Sequence, residues 1–359
     1  MRIKNVLIAG GYGVVGRQIA GVLRQYYPGI TVWLGGRNPH QGQALADELG
    51  NTKLVRLDLS RPDPLSDIDA HIDIVLTAVN DIDDNMLKSA IKNRIAYIDI
   101  TRWTAWMRAS IQDAETLDTS HAPVVFTSSW MASTIGIITK SLVSEIGLIE
   151  AIDLNILYAN EDKSGPNSVE YMDRLALPFE VTQNGQKTEA RAFRRAVKIN
   201  IPGAGKYKFY RFDTPDQFTL PLITGAQNVI SRIGFNDKTS GPMLSFLIRS
   251  GIWKLISGPK FTKMRHSLLH NPGDGAPHQI RIDIKGTDKK GGSIKQSWLV
   301  TDPQGQTHLT AVGALIQLDR VIRASEHDFA GVQIAEAVTD PATAIAIMLK
   351  EGITIERLK

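Results

Sequence analysis

The chain reads as an α/β protein: an N-terminal Rossmann domain with a doubly wound parallel sheet, then an inserted mixed α+β, mostly antiparallel second domain. Three observations predict this. A glycine-spaced turn, Gly11-x-Gly13-x-x-Gly16, stands between an apolar strand and an apolar helix. Strand-like and helix-like segments then alternate as far as Thr127. Past Trp130 the alternation gives way to strands and hairpin turns with few helices. We therefore expect residues 1–128 to form the first domain, with 329–359 packing back on it, and residues 129–328 the second.

The elements follow in order. Asn5-Val6-Leu7-Ile8-Ala9 is an apolar strand, and Val15, Ile19, Val22, Leu23 and Tyr26 share one face of the helix after it. Past Pro28-Gly29, Ile30–Leu34 is the second strand; Gln41–Leu49 is a short helix ended by Gly50. Lys53–Leu57 and Ile72–Ala78 are the third and fourth strands. Met86–Lys92 is helical, Ala96–Ile100 is the fifth strand and Val124–Thr127 the sixth. In the second domain Ser133–Glu145 is a helix with Ile135, Ile138, Leu142 and Ile146 on one face, and Ile152–Tyr158 alternates as a strand. Phe179–Lys187 is a hairpin with Asn184-Gly185 at its tight turn. Further strands are expected at Ala196–Ile201, Gln279–Lys285 and Lys295–Thr301, and Asp302-Pro303-Gln304-Gly305 turns the last into Thr307–Leu309. Helical periodicity returns from Ala311, with Pro341-Ala342 opening the final helix.

A length of 359 residues suffices for two hydrophobic cores, and 43% hydrophobic with 22% charged residues is an ordinary balance for a soluble enzyme. No apolar run is long enough to span a membrane. The first strand begins so early that no export signal is expected, which points to a cytoplasmic location. Zero cysteines exclude disulfides, a thiol nucleophile and thiolate metal sites. His266, His270, His278 and His308 lack metal-ligand spacing, so no metal is expected. The net charge of +4 is spread along the chain; it suits anionic cofactors and carboxylate substrates and is too diffuse to argue for nucleic acid, which is not expected as a partner.

The glycine turn carries the clearest chemistry. Gly11 lets the chain leave the strand sharply, Gly13 lets backbone approach a pyrophosphate, and Gly16 lets the helix pack on the strand. The backbone amides of Tyr12, Val14 and Val15 complete an anion seat at the positive end of a helix. The end of the second strand then selects the dinucleotide. No acidic residue lies between Ile30 and Asn38 to accept from a ribose 2′-hydroxyl; Gly36-Arg37-Asn38 stands there instead, and a guanidinium suits a 2′-phosphate. NADP is the expected cofactor, with NAD as the alternative. Ligands of such sheets lie beyond the C-terminal strand ends, which singles out Asp58 near the adenine, Ala78-Val79-Asn80, Asp99 to Arg102, and Ser128-Ser129-Trp130; Asn80 is read as a hydrogen-bonding partner of the nicotinamide ribose, or else as a residue that shapes the turn. Asp99 is read as an acid/base or substrate-positioning carboxylate, or else as a helix cap; Arg102 is read as a clamp on a substrate carboxylate, or else as an exposed arginine at a helix start.

With these residues the chain resembles the saccharopine dehydrogenase-like family, in its reductase branch with an N-terminal Rossmann domain. Ile8 to Gly16 and Leu34-Gly35-Gly36-Arg37-Asn38 look like that family's NADP site, and Tyr97-Ile98-Asp99 like its Tyr-x-Asp at the fifth strand end. Asp213 to Gln217, Thr310 to Ala314, and Gly331-Val332 through Lys350-Glu351-Gly352-Ile353-Thr354 are similar to weaker downstream motifs. The resemblance implies an NADP(H)-dependent oxidoreductase moving hydride to or from a C=N or C=O centre of an amino-acid-derived substrate. One departure stands out: where many members carry a Gly/Pro-rich turn, this chain has Ser128-Ser129-Trp130-Met131-Ala132-Ser133, whose aromatic and thioether bulk is expected to narrow the site or make it more apolar.

Other features keep alternatives open. Arg191, Arg194, Arg195 and Lys198, with Lys206, Lys208 and Arg211, form a basic cluster, either a solvated face or a carboxylate-binding wall. Met243–Ile256 is apolar but carries Arg249 and Lys254, as would a core or interface helix, the lining for a hydrophobic or acyl substrate, or a segment resting on a membrane surface. A non-catalytic NADP-binding sensor is the third reading. A homodimer is expected from the edges of the second domain's sheet.

Overall fold

The computed structural model describes residues 3–128, 130–163, 171, 173–257, 259–261, 275–324 and 330–359. Ser129, His266 and His270 lie outside the described residues. The chain divides into two compact units, one of residues 1–134 with 310–340 and one of residues 135–309 with 341–359.

In the first unit β1 (Asn5–Ala9), α1 (Val14–Tyr26), β2 (Thr31–Gly36), α2 (Gln43–Leu49) and β3 (Thr52–Arg56) build one half of a doubly wound sheet. β4 (Ile74–Thr77), α3 (Asn85–Lys92), β5 (Ala96–Asp99), α4 (Thr104–Glu115) and β6 (Pro123–Phe126) build the other, and β15 (Gly331–Ile334) adds the far edge. The order is β15-β6-β5-β4-β1-β2-β3, with every pairing parallel. All four residues of β4, of β5 and of β6 are buried. Such unbroken apolar runs belong to strands covered on both faces. The strand order reverses between β1 and β4, which opens a crevice at their C-terminal ends.

Two elements here are absent from the sequence reading. α4 buries only Thr104, Met107, Ser110 and Ala114, a stripe half polar and hard to recognise. β15 has four residues and none is fully buried. α3 ends at Lys92 with Asn93 as its cap, and the next residue, Arg94, takes a left-handed φ of 58° on the surface. Glycine meets that conformation without the Cβ clash, so Arg94→Gly is expected to stabilise the protein by up to about 1 kcal/mol and raise the thermal midpoint by roughly 2–4 °C. Thermal denaturation followed by circular dichroism checks it.

The second unit holds β7 (Ile146–Tyr158), the hairpin β8 (Pro178–Gln183) and β9 (Gln186–Arg191), β10 (Val197–Ile201), β11 (Gly205–Arg211), α6 (Asp216–Thr224) and β12 (Val229–Phe235). α7 (Ser240–Arg249), α8 (Ile252–Ile256), β13 (His278–Asp288), β14 (Ser293–Asp302), α10 (Pro341–Lys350) and β16 (Thr354–Leu358) complete it. Its main sheet runs β10-β11-β12-β7-β13-β14-β16, antiparallel except for β7 with β12. The β8–β9 turn is the expected one: Asn184 and Gly185 both take positive φ, 51° and 71°. α5 (Thr134–Leu142) and α9 (Gln306–Arg323) each have residues in both units.

The structure corrects the strand expected at Thr307–Leu309, which is the first turn of α9. Asp162 accepts the Gln306 N–H at 3.0 Å. Leu309, Val312, Leu315 and Ile316 then follow helical spacing into the core. The C-terminal stretch also divides: β15 pairs with β6 in the first unit, whereas β16 pairs with β14 in the second. Of residues 329–359, those from Pro341 onward thus belong with the second unit. The Met243–Ile256 segment is two short helices broken at Gly251; Leu244 and Trp253 are buried, while Phe246 and Leu255 are 66% and 76% exposed. Among the described residues no helix is long and apolar enough to cross a membrane.

Candidate functional site

The turn after β1 is tied to β2 by two backbone bonds, from Gly10 and Gly11 N–H to Gly35 O at 2.8 and 3.3 Å. The sharp bend is made at Gly10, whose φ is +79°, and not at Gly11 as the spacing suggested. Gly11 is required by crowding: a Cβ there would stand 2.8 Å from the Leu34 side chain and 2.9 Å from Ile8 O. At Gly16 a Cβ would lie 2.1 Å from Gly10 O, so only glycine lets α1 start this close to the strand. Gly13 donates to Gly10 O at 2.9 Å, and its own carbonyl accepts the Arg17 N–H at 3.0 Å, opening the helix. α1 has no side-chain cap and no acidic residue in its first turn. Its leading amides and the positive end of its dipole are therefore available to an anion.

Three further strand ends gather round this turn. Beyond β4, Ala78 N–H bonds Ala9 O at 2.9 Å, and the Val79 Cβ stands 3.2 Å from the Cβ position of Gly10. Beyond β2, the phenol of Tyr12 closes over Gly36, and its oxygen accepts the Asn38 N–H at 3.0 Å. Arg37 is exposed beside it. Beyond β3, Asp58 accepts from the Ser60 hydroxyl at 2.7 Å and the Ser60 N–H at 3.1 Å. Those two bonds, then the charges of Arg37 and Arg56, hold its carboxyl below the usual range. The structure thus brings together Gly11, Tyr12, Gly13, Val14, Val15, Gly16, Gly36, Arg37, Asn38, Asp58, Ala78, Val79 and Asn80. Gly10 is the member that sequence reasoning missed; it sits one position ahead of the motif.

Asp99 and Arg102, expected as catalytic groups, lie beyond β5 in a closed network, each only 1% exposed. Asp99 accepts from Tyr97 Oη, Arg102 Nε, Thr101 N–H and Thr101 Oγ1, each at 2.8 Å. Arg102 continues to Asp84 and Ser110, and its guanidinium stacks on Trp106 at 4.2 Å and on Phe126 at 5.3 Å. Burial opposes the Arg102 charge, but Asp99, Tyr97 and Asp84 outweigh it and hold the group above its ordinary range. Burial, then Asp99, pushes the Tyr97 hydroxyl well up. The two residues are paired with each other, and at 1% exposure Arg102 is not the exposed helix-start residue of the alternative reading.

After β6 the backbone makes a left-handed turn at Met131, Ala132 and Ser133, with φ of 55°, 46° and 67°. Ser128 N–H donates to Ser133 Oγ at 2.7 Å, and Thr134 Oγ1 donates to Met131 O at 2.9 Å. Gly313 makes room for it, since a Cβ there would be 2.7 Å from both Met131 O and Ala132 O. Met131 is 4% exposed, so its thioether is packed into the protein interior. A cavity of about 500 Å³ in this unit lies at the other end of the sheet, lined by residues such as Ile72, Asp73, Ala96 and Pro123 at the strand starts. Ligands of open parallel sheets sit at the C-terminal ends, so the site is assigned to the glycine turn.

No protein-family model matches the chain, and no curated protein sequence matches it. Among solved structures the chain is similar to apo saccharopine dehydrogenase (L-Glu forming) from Saccharomyces cerevisiae, with a TM-score of 0.68 and 14% identity over 99% of this chain and 100% of that one. It also matches myo-inositol dehydrogenase from Lactobacillus casei, solved with NAD(H) and myo-inositol, with a TM-score of 0.45 and 12% identity over 100% of this chain and 98% of that one. The fold is therefore saccharopine dehydrogenase-like.

Proposed function

We propose that this chain is an NADP(H)-dependent oxidoreductase that transfers hydride to or from a C=N or C=O centre of an amino-acid-derived, carboxylate-bearing small molecule. The observation that carries the reading is the uncapped head of α1 behind a turn that tolerates only glycine at Gly16. That cradle fits a dinucleotide. The amides from Tyr12 to Gly16 would hold its pyrophosphate, Arg37 and Asn38 its 2′-phosphate, Asp58 and Val79 the adenine side, and Asn80 the nicotinamide ribose. When bound, the nicotinamide supplies or accepts the hydride. Asp99 and Arg102 serve as positioning residues: they lock the β5–α4 loop beside the β4 end against which the cofactor would lie. We further propose a cytoplasmic homodimer, its second-unit sheet edges β10 and β16 being the pairing candidates.

Fluorescence titration tests the cofactor reading, because Trp33 sits on β2 four residues before Arg37. NADPH is expected to bind at least about tenfold more tightly than NADH, and Arg37→Ala to remove that preference by cutting NADPH affinity while leaving NADH unchanged. Equal affinities in the wild type would reassign the site to NAD. No binding of either would remove the oxidoreductase reading. A second reading, with a hydrophobic or acyl substrate, has in its favour the exposed Met243, Phe246 and Leu255 on α7 and α8. A substrate screen of amine–aldehyde pairs against acyl substrates separates the two.

A further inference from the structure

The link from β9 to β10 in the second unit is held more firmly than a surface loop requires. Phe193 and Arg195 both take left-handed φ values, 55° and 53°. The Phe193 ring is fully buried and stacks on Tyr210 at 5.3 Å between ring centres. Its N–H donates to Arg211 O at 2.9 Å, and its carbonyl accepts from Ser245 Oγ at 2.9 Å. β11 and α7 therefore clamp the turn from two sides, and the strain it carries is maintained by that packing.

Beside this turn opens a cavity of about 450 Å³ whose wall includes Arg191, Arg194, Arg195, Arg211 and Arg249. Its one carboxylate, Glu189, pairs with Arg191 at 3.3 Å. The other four guanidiniums make no side-chain hydrogen bond or ion pair among the described residues. Burial, then the charges of Arg195 and Arg232, pulls Arg211 below its ordinary range, so the cluster carries the cost of its own repulsion. The Asp153 carboxylate nearby is already paired with Arg232 at 2.9 Å. Of the basic residues grouped by sequence, Lys198 and Lys208 instead face each other across β10 and β11. Arg249, far away in the chain, joins from α7.

We infer that this cleft binds a ligand with two or more neighbouring phosphoryl groups, as a free polyphosphorylated small molecule or as a lipid headgroup. A single carboxylate is saturated by one forked guanidinium. Four unpaired guanidiniums on a preset scaffold match clustered phosphate oxygens in charge and in donor geometry. The site lies wholly within the second unit and is independent of the oxidoreductase reading.

The test is calorimetric titration of the full-length protein with inorganic tripolyphosphate and without NADPH, which itself carries neighbouring phosphoryl groups. Wild type is expected to bind in a manner that weakens as salt rises, and the cleft's share is the part that the cleft variant removes. The double variant Arg194→Ala/Arg195→Gly is expected to lose affinity by about tenfold or more while its melting temperature holds or rises, because glycine relieves the left-handed φ and two repelling charges are gone. Loss of binding with an undiminished melting temperature cannot be misfolding. Vesicles of phosphatidylcholine doped with a bisphosphorylated phosphoinositide form the second arm. Flotation with those vesicles, reversed by tripolyphosphate, makes the ligand a lipid headgroup; tripolyphosphate binding without flotation makes it a free polyphosphate. Absence of tripolyphosphate binding at low salt, or equal binding by wild type and double variant, overturns the proposal.

Discussion

Replacing Gly16 by alanine is expected to weaken NADPH binding by about 100-fold and to destabilise the first unit by about 1–3 kcal/mol. The added methyl would lie 2.1 Å from Gly10 O and 2.9 Å from Gly10 C and Gly11 Cα. All three atoms are backbone, so no side chain can rotate away. The head of α1 must retreat from β1, and the amides that converge on the phosphate seat go with it. Gly21, in the same helix, supplies the internal control: a Cβ there meets nothing within 4 Å. Gly21→Ala is expected to leave NADPH affinity unchanged and to stabilise the helix by up to about 1 kcal/mol, since alanine is the better helix former. Denaturant unfolding and NADPH titration on the same two variants give both readouts. Wild-type affinity in Gly16→Ala would show that the glycine turn is not the phosphate seat, and the cofactor reading would lose its support.

The contrast between those two glycines shows what was legible in the sequence. Gly13 and Gly16 act through contacts within one strand–turn–helix unit, and such local geometry leaves a spacing behind; Gly11 adds the close approach of Leu34 on the neighbouring strand. Gly36–Asn38, Asp58 and Ala78–Asn80 were legible one step further out, because doubly wound topology places every strand's C-terminal end on the same edge. Arg102 was not. Its role depends on Asp84 before α3 and on Ser110 and Trp106 in α4, a helix whose mixed stripe hides it from periodicity. Arg249 was invisible as a partner of Arg194 for the same reason, since only packing of α7 brings them to one cavity. Thr307–Leu309 was misread because three residues fit either period, and the cap that decides it, Asp162, lies far away in the chain.

The same non-local logic sets the second large effect. Arg102→Met is expected to destabilise the protein by about 3–5 kcal/mol, because it leaves the buried Asp99 and Asp84 carboxylates without their cation. Arg102→Lys keeps a charge, but one ammonium cannot span Asp99, Asp84 and Ser110 while stacking on Trp106, so an intermediate loss is expected. Pairing Arg102→Met with Asp99→Asn removes a charge from each side, and a favourable coupling of roughly 1–3 kcal/mol should return part of the loss. Denaturant midpoints for the two single variants and the double close the cycle. NADPH titration below the melting temperature adds the functional half, since the phosphate seat is built from β1, β2 and α1, and its affinity should survive. A variant with unaltered stability and a specific loss of turnover would return Arg102 to the role of substrate clamp. The coupling expected here ties it instead to the scaffold: a guanidinium 1% exposed, donating to two carboxylates and to the Ser110 and Tyr97 hydroxyls and stacked on two aromatic faces, meets a ligand only where that network opens.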